Sequence, residues 1–286
     1  MSYMHIGNLY KDQRILLFRE CYAMEKIHGT SSHLKLKDGK LTFFSGGSAF
    51  QNFVALFNIP ELTQKFIDLG RNEVTVFGEA YGGKMQGMAH TYGPNLKFIA
   101  FEVCIDEYFL KVENAHNVCD KLGLDFVHYV RIPTNIEDID RERDAPSVQA
   151  VRNGITEPKK REGVVLRPIE EFKDSSGGRV LAKHKGEGFC ETKTPRSVDA
   201  EQFEVLSKAK EIADEWCVSV RLEHVLDAFP DADMKDIPKI IEAMYDDIIR
   251  EAKGEIIDSK DVKKAIFTRT AILFKQKLVN SLHKEQ

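Results

Sequence analysis

The chain has 286 residues, 42% of them hydrophobic and 30% charged, with a net charge of −4. That length suggests about two domains, and the composition excludes a disordered, collagen-like or coiled-coil chain. No apolar run approaches the ~18 residues of a membrane span, and residues 1–10 match neither a secretory signal nor an Arg-rich transit peptide.

Cys21, Cys104, Cys119, Cys190 and Cys217 are odd in number and never at C-x-x-C spacing. This argues for a reducing compartment, with the cytoplasm as the expected location, and against a structural zinc site. Charge is uneven along the chain. Residues 1–195 sum to about zero, 196–251 are strongly acidic, and 252–286 are basic. The protein is therefore no general polyanion binder, but its tail has the charge to touch one.

In chain order, the first two thirds read as short strands and turns. The segment 34–44 predicts a hairpin, because apolar and polar residues alternate ahead of Asp38-Gly39, a favoured two-residue turn. Residues 74–78, 98–103, 163–168 and 180–185 are further β-rich runs. Helical spacing occurs around 61–69 and 111–122, and the polar stretch 133–161 predicts a surface excursion with a short helix. From about 199 the pattern is helical nearly to the end, broken by Pro230, Pro238 and Gly254. The predicted domains are 1–197 and 198–286.

Five segments carry the chemistry: Glu25-Lys-Ile-His-Gly-Thr-Ser31, Phe77-Gly-Glu-Ala-Tyr-Gly82, Phe98-Ile-Ala-Phe-Glu102, Glu162-Gly-Val-Val165 and Lys183-His-Lys185. A lysine beside a turn glycine is a nucleophile only when neutral. An ordinary lysine pays about 4.6 kcal/mol for that at pH 7. Nearby cations reduce this cost, and Lys183 and Lys185, on one face of a strand, can supply them. Two cations facing a cavity suit a phosphate-bearing ligand. Glu162 facing the same cavity calls for a divalent cation, Mg²⁺ or Mn²⁺. Glu79 can accept from a ribose, and Phe101 offers a stacking face. Each segment alone is ordinary. Together and in this order they describe lysine attack on a nucleotide α-phosphate. His28 and His33, five apart in a strand-like stretch, lie on opposite faces and form no metal pair.

The five segments resemble the nucleotidyltransferase motifs of the superfamily that comprises ATP-dependent RNA and DNA ligases and mRNA capping enzymes. They are most similar to its RNA ligase 2-like branch, and Lys26-Ile-His-Gly-Thr30 resembles the first motif of kinetoplastid RNA-editing ligases. The resemblance covers 25–185. It implies an α+β fold, an ATP-grasp-like nucleotidyltransferase domain of antiparallel sheets with flanking helices. It also implies ATP-dependent sealing of 5′-phosphate and 3′-hydroxyl RNA ends, in a nicked duplex or between broken ends. By the same resemblance Lys26 takes AMP, Glu79 binds the ribose and Phe101 stacks on adenine. Glu162 organises Mg²⁺, Lys183 and Lys185 contact phosphate, and Glu25 helps to recognise adenine, through its backbone. The helical 199–286 segment fits that branch's all-helical C-terminal domain. Its basic set, Lys263, Lys264, Arg269, Lys275 and Lys277, is the candidate contact to an RNA backbone.

Two departures stand out. Ser31 occupies a position usually held by Asn. Phe44, before Ser45-Gly46, stands where the branch carries a phosphate-binding Arg. A DNA ligase or guanylyltransferase is the alternative within the superfamily, opposed by the lack of a β-rich segment after 195. A nucleic-acid-binding protein that keeps the fold without sealing is the alternative outside it. Phe44 favours that reading, whereas the retained Lys26, Glu79, Glu162, Lys183 and Lys185 oppose it.

Overall fold

A computed structural model describes residues 3–174, 177–189, 200–226, 228–229, 232–252 and 256–284. The chain forms two compact units. One comprises 1–15, 20–172 and 179–196, and the other 16–19, 173–178 and 197–286.

The first unit is built on two antiparallel sheets. Its strands are β1 (Glu20–Lys26), β2 (Thr30–Lys37), β3 (Lys40–Phe44), β4 (Glu73–Gly82), β5 (Leu96–Ile105), β6 (Tyr108–Phe109), β7 (Tyr129–Pro133), β8 (Gly163–Pro168) and β9 (Ala182–Lys185). One sheet has the order β7-β1-β8-β9 and the other β3-β2-β4-β5-β6. The hairpin forms where turn chemistry predicts it. Asp38 and Gly39 take φ of +50° and +74° between β2 and β3, the left-handed pair that a tight hairpin needs.

Short helices α1 (Phe50–Val54), α2 (Ile59–Asp68) and α3 (Ala89–Tyr92) precede α4 (Val112–Leu122), which ends on Gly123 at φ +73°. Leu62 and Phe66 of α2 and Ala115, Cys119 and Leu122 of α4 bury against Leu34, Leu36, Val74, Val76, Ile99 and Val103 of the larger sheet. The polar excursion holds two helices rather than one, α5 (Ile136–Asp144) and α6 (Val148–Arg152). Their charged faces hide the second start, at Ser147, whose hydroxyl accepts from Ala150 N–H at 3.0 Å.

Among its described residues the second unit has helices α7 (Ala200–Trp216), α8 (Ser219–Leu226), α9 (Ile237–Glu251) and α10 (Lys260–Lys284) and no strand. Its core includes Ala213, Cys217, Leu222, Ile240, Met244, Ile248, Ile266 and Phe274. No helix among the described residues is long and apolar enough to cross a membrane. Cys21, Cys104, Cys119 and Cys217 are free thiols, while Cys190 lies outside the described residues.

Candidate functional site

Strand register brings together residues far apart in sequence. Lys26, the last residue of β1, is paired with Gly163 of β8, and Gly163 is paired with Lys185 of β9. The backbones are so close that a Cβ on Gly163 would lie 2.1 Å from the His184 carbonyl oxygen and 2.8 Å from Lys185 Cα. Only glycine fits there, and it sets the carboxylate of the preceding Glu162 between the two lysines.

Glu162 is 2% exposed. Its Oε2 lies 3.0 Å from Lys26 Nζ and 3.1 Å from His28 Nδ1, and its Oε1 lies 2.9 Å from Lys185 Nζ. Burial by itself pushes this carboxyl up. The Lys26 and Lys185 ammonium groups outweigh it and hold the carboxyl below the usual range. His28, which the sequence presents only as part of the motif Lys26–Thr30, completes the bracket around Glu162. Its ring packs 5.3 Å from that of Phe189.

Lys26 opens onto a cavity of about 360 Å³ whose wall includes Glu25, Ser31, Glu79, Phe101 and Lys183. This is a volume suited to a small ligand. Five of the predicted residues, Glu25, Lys26, Glu79, Phe101 and Lys183, thus share one cavity. Glu162 and Lys185 stand beside Lys26 rather than in the wall. Lys183 is held in place by main-chain bonds to the N-terminal segment: its N–H donates to the Gly7 carbonyl, and its own carbonyl accepts from Leu9 N–H, both at 2.9 Å.

Glu79 accepts from Gly29 N–H at 3.1 Å. A Cβ on Gly29 would meet the Ala80 carbonyl oxygen at 2.3 Å, so this approach too requires glycine. Burial is the main influence on Glu79 and, with repulsion from Glu162, pushes its carboxyl up to about 7 against the opposing pull of Lys26.

The Glu25 side chain is already in use. Its Oε1 accepts from Ser147 Oγ at 2.5 Å and its Oε2 from Val148 and Gln149 N–H at 3.1 and 3.2 Å, at the start of α6. Its own N–H donates to the His128 carbonyl at 2.8 Å. What Glu25 can offer a base is its main-chain carbonyl.

Sequence reasoning missed the far end of the cavity, where Tyr3 and Arg167 line the wall. There the fully buried Glu102 pairs with Arg167 at 2.8 Å and Arg179 at 2.5 Å, and accepts from the Tyr3 hydroxyl. Burial raises the Glu102 carboxyl, and the two guanidinium groups reverse that shift. The available signal was a carboxylate inside the apolar run Phe98–Val103, which needs a buried cation.

No group of three or more His, Cys, Asp or Glu among the described residues is arranged to hold a metal ion. The donor set at Lys26 is one buried carboxylate. That suits a hard cation keeping most of its water and sharing ligand phosphates, rather than one held in an all-protein cage.

The five basic residues of α10 do not form one row. At 3.6 residues per turn, Lys264 and Lys275 share a face while Arg269 points away from them. Lys263 pairs with Glu242 at 3.3 Å and lies over the Tyr245 ring, and Arg269 pairs with Asp214 at 3.2 Å. Lys264 is exposed.

The RNA ligase family matches residues 19–185. The fold is similar to solved structures of Naegleria gruberi RNA ligase. These include a mutant with ATP and Mn and another with AMP and Mn, each at 16% identity and TM-score 0.52, covering 66% of this chain and 57% of that one. The same values hold for that ligase with PPi. This chain thus spans less than two thirds of those ligase chains. No curated protein matches the sequence.

Proposed function

The chain belongs to the RNA ligase family, and from that premise we propose that it is an ATP-dependent ligase joining RNA 5′-phosphate and 3′-hydroxyl ends through AMP carried on Lys26. The observation that carries the proposal is the bracket of Lys26, Glu162 and Lys185 beside a cavity of about 360 Å³ lined by Lys26, Glu79, Phe101 and Lys183.

In the first step the Lys26 amine attacks the α-phosphorus of ATP, forming an N–P bond as the bond to pyrophosphate breaks. Lys26 must first shed a proton to water, and its Nζ is paired with Glu162. A divalent cation held by Glu162 would draw off that counter-charge, and Lys183 and Lys185 disfavour the charged form of the lysine. In the second step an RNA 5′-phosphate oxygen displaces the Lys26 nitrogen and takes AMP. In the third a 3′-hydroxyl attacks the capped 5′-phosphorus and AMP leaves. Each step is an in-line displacement served by positioning and cations.

Glu79 holds the ribose hydroxyls, Phe101 stacks on adenine, and Glu25 contributes its main chain. Glu162 would hold a divalent cation, Mg²⁺ or Mn²⁺, which would supply positive charge against the charge developing at phosphorus. The helical unit holds RNA with its basic set, Lys263, Lys264, Arg269, Lys275 and Lys277. The cytoplasm is the proposed location, resting on the scattered free cysteines.

The test follows the label. Protein labelled from α-phosphate-labelled ATP is freed of ATP and mixed with a nicked RNA duplex bearing a 5′-phosphate. Label passing to RNA and then to free AMP, with strand joining, supports the proposal. Label that stays on the protein overturns the sealing steps and favours a protein that keeps the fold without ligation.

A further inference from the structure

Phe44 is one of the two positions at which the chain departs from its family resemblance, and its surroundings suggest what replaces the missing arginine. The ring is 38% exposed. It stacks on the His33 ring with centroids 5.0 Å apart and planes at 19°. In the larger sheet Phe44 is register partner to His33, and His33 to Phe77. The three form a row across β3, β2 and β4, on the face opposite buried Leu34 and Leu36.

That row runs to the nucleotide cavity. Ser31, two residues before His33 on the same face of β2, lines the cavity with its register partner Glu79. Two residues along a strand span ~6.8 Å and neighbouring strands lie ~4.8 Å apart, so Phe44 stands just beyond the cavity's Ser31 edge. His33 is buried, which is the main reason its imidazole is pushed down to about 4. At neutral pH the pair is an uncharged stack with one open aromatic face.

We propose that Phe44, backed by His33, is a stacking platform for a base of the RNA strand whose 5′-phosphate is presented to the Lys26 cavity. The proposal rests on the RNA ligase reading above. A base has a π-face whatever its identity, so the platform is tolerant of sequence. It also differs from an arginine in a measurable way: stacking releases no counterions, whereas each phosphate contact adds to the salt dependence of binding.

The experiment uses the full chain and a 5′-phosphorylated RNA oligonucleotide with 2-aminopurine near its 5′ end, titrated at several salt concentrations. Stacking quenches this fluorophore. Phe44→Ala is expected to raise Kd about 5- to 100-fold, to relieve the quench and to leave the salt slope unchanged. Phe44→Tyr keeps the ring and is expected to bind within threefold of wild type. Phe44→Leu keeps apolar bulk without a π-face and is expected to behave as Phe44→Ala, which separates stacking from any loss of folding. The platform is overturned if Phe44→Ala or Phe44→Leu binds within twofold of wild type, if either lowers the salt slope, or if Phe44→Tyr is as weak as Phe44→Ala. Wild type that takes AMP label but binds no RNA also overturns it, leaving the lysine chemistry standing. Wild type that neither takes label nor binds RNA overturns the ligase reading and the platform together.

Discussion

Lys26 Nζ lies 3.0 Å from Glu162 Oε2, and the other carboxylate oxygen is held by Lys185 at 2.9 Å. The proposed nucleophile and the carboxylate proposed to hold a metal thus neutralise each other, and the pair fixes where the lysine points.

Removing that carboxylate charge tests the arrangement. Glu162→Gln leaves Lys26 and Lys185 without their counter-charge, and also removes the anchor for a divalent cation. Label uptake from ATP is expected to fall at least 100-fold. Stability is expected to fall by about 1–3 kcal/mol, less than for a wholly buried pair because Lys26 can turn toward water. Urea unfolding and labelling on the same preparation check both. Unchanged labelling would remove Glu162 from the chemistry.

Gly163 makes a sharper packing prediction. Alanine there places a Cβ 2.1 Å from the His184 carbonyl oxygen, so β8 and β9 must separate and Lys185 must shift. Gly163→Ala is expected to cost more than about 2 kcal/mol and to abolish labelling. Gly39→Ala, at φ +74° with nothing within 4 Å, is expected to cost about 1 kcal/mol and to leave labelling intact. Equal behaviour of the two variants would contradict the packing account.

Glu79 carries a pH signature. Its carboxyl titrates near 4.5 when unfolded and at about 7 when folded. Between those values the folded state holds the extra proton, so this group's contribution to stability falls as pH rises through the window. Glu79→Gln removes the loss. Relative to wild type the variant is expected to gain about 1–3 kcal/mol between pH 5 and 8, allowing for the side of Glu79 open to the cavity. Melting temperatures of both proteins across that range check the difference. A constant offset would show that Glu79 is not shifted.

Glu25 is predicted to matter to the fold before it matters to the ligand. Glu25→Ala strands the Ser147 hydroxyl and the Val148 and Gln149 N–H groups at the start of α6. A loss of about 3–5 kcal/mol is expected, readable as a lower urea midpoint. A variant as stable as wild type but with weakened ATP binding would return the side chain to nucleotide recognition.

Much of this was legible in the chain itself. Asp38-Gly39 announces its hairpin because turn chemistry is local, and the apolar spacing around 61–69 and 111–122 marks α2 and α4 because each buries one face. The meeting of Lys26, Glu162 and Lys185 followed only from resemblance, since register between β1, β8 and β9 is a long-range property. His28 was not seen as a partner of Glu162 for the same reason, its carboxylate lying 134 positions away in sequence. The basic set of α10 was read from composition without helical phase. Lys263 and Arg269 have neighbours, Glu242 and Asp214, that no local pattern reveals.

The most direct measurement is label transfer from α-phosphate-labelled ATP to the protein with Mg²⁺ or Mn²⁺, wild type beside Lys26→Ala, with intact mass measured first to detect protein already carrying AMP. The account predicts a stable label on wild type that added pyrophosphate removes, and none on Lys26→Ala. Label on both proteins, or none on a folded, AMP-free wild type, would contradict it.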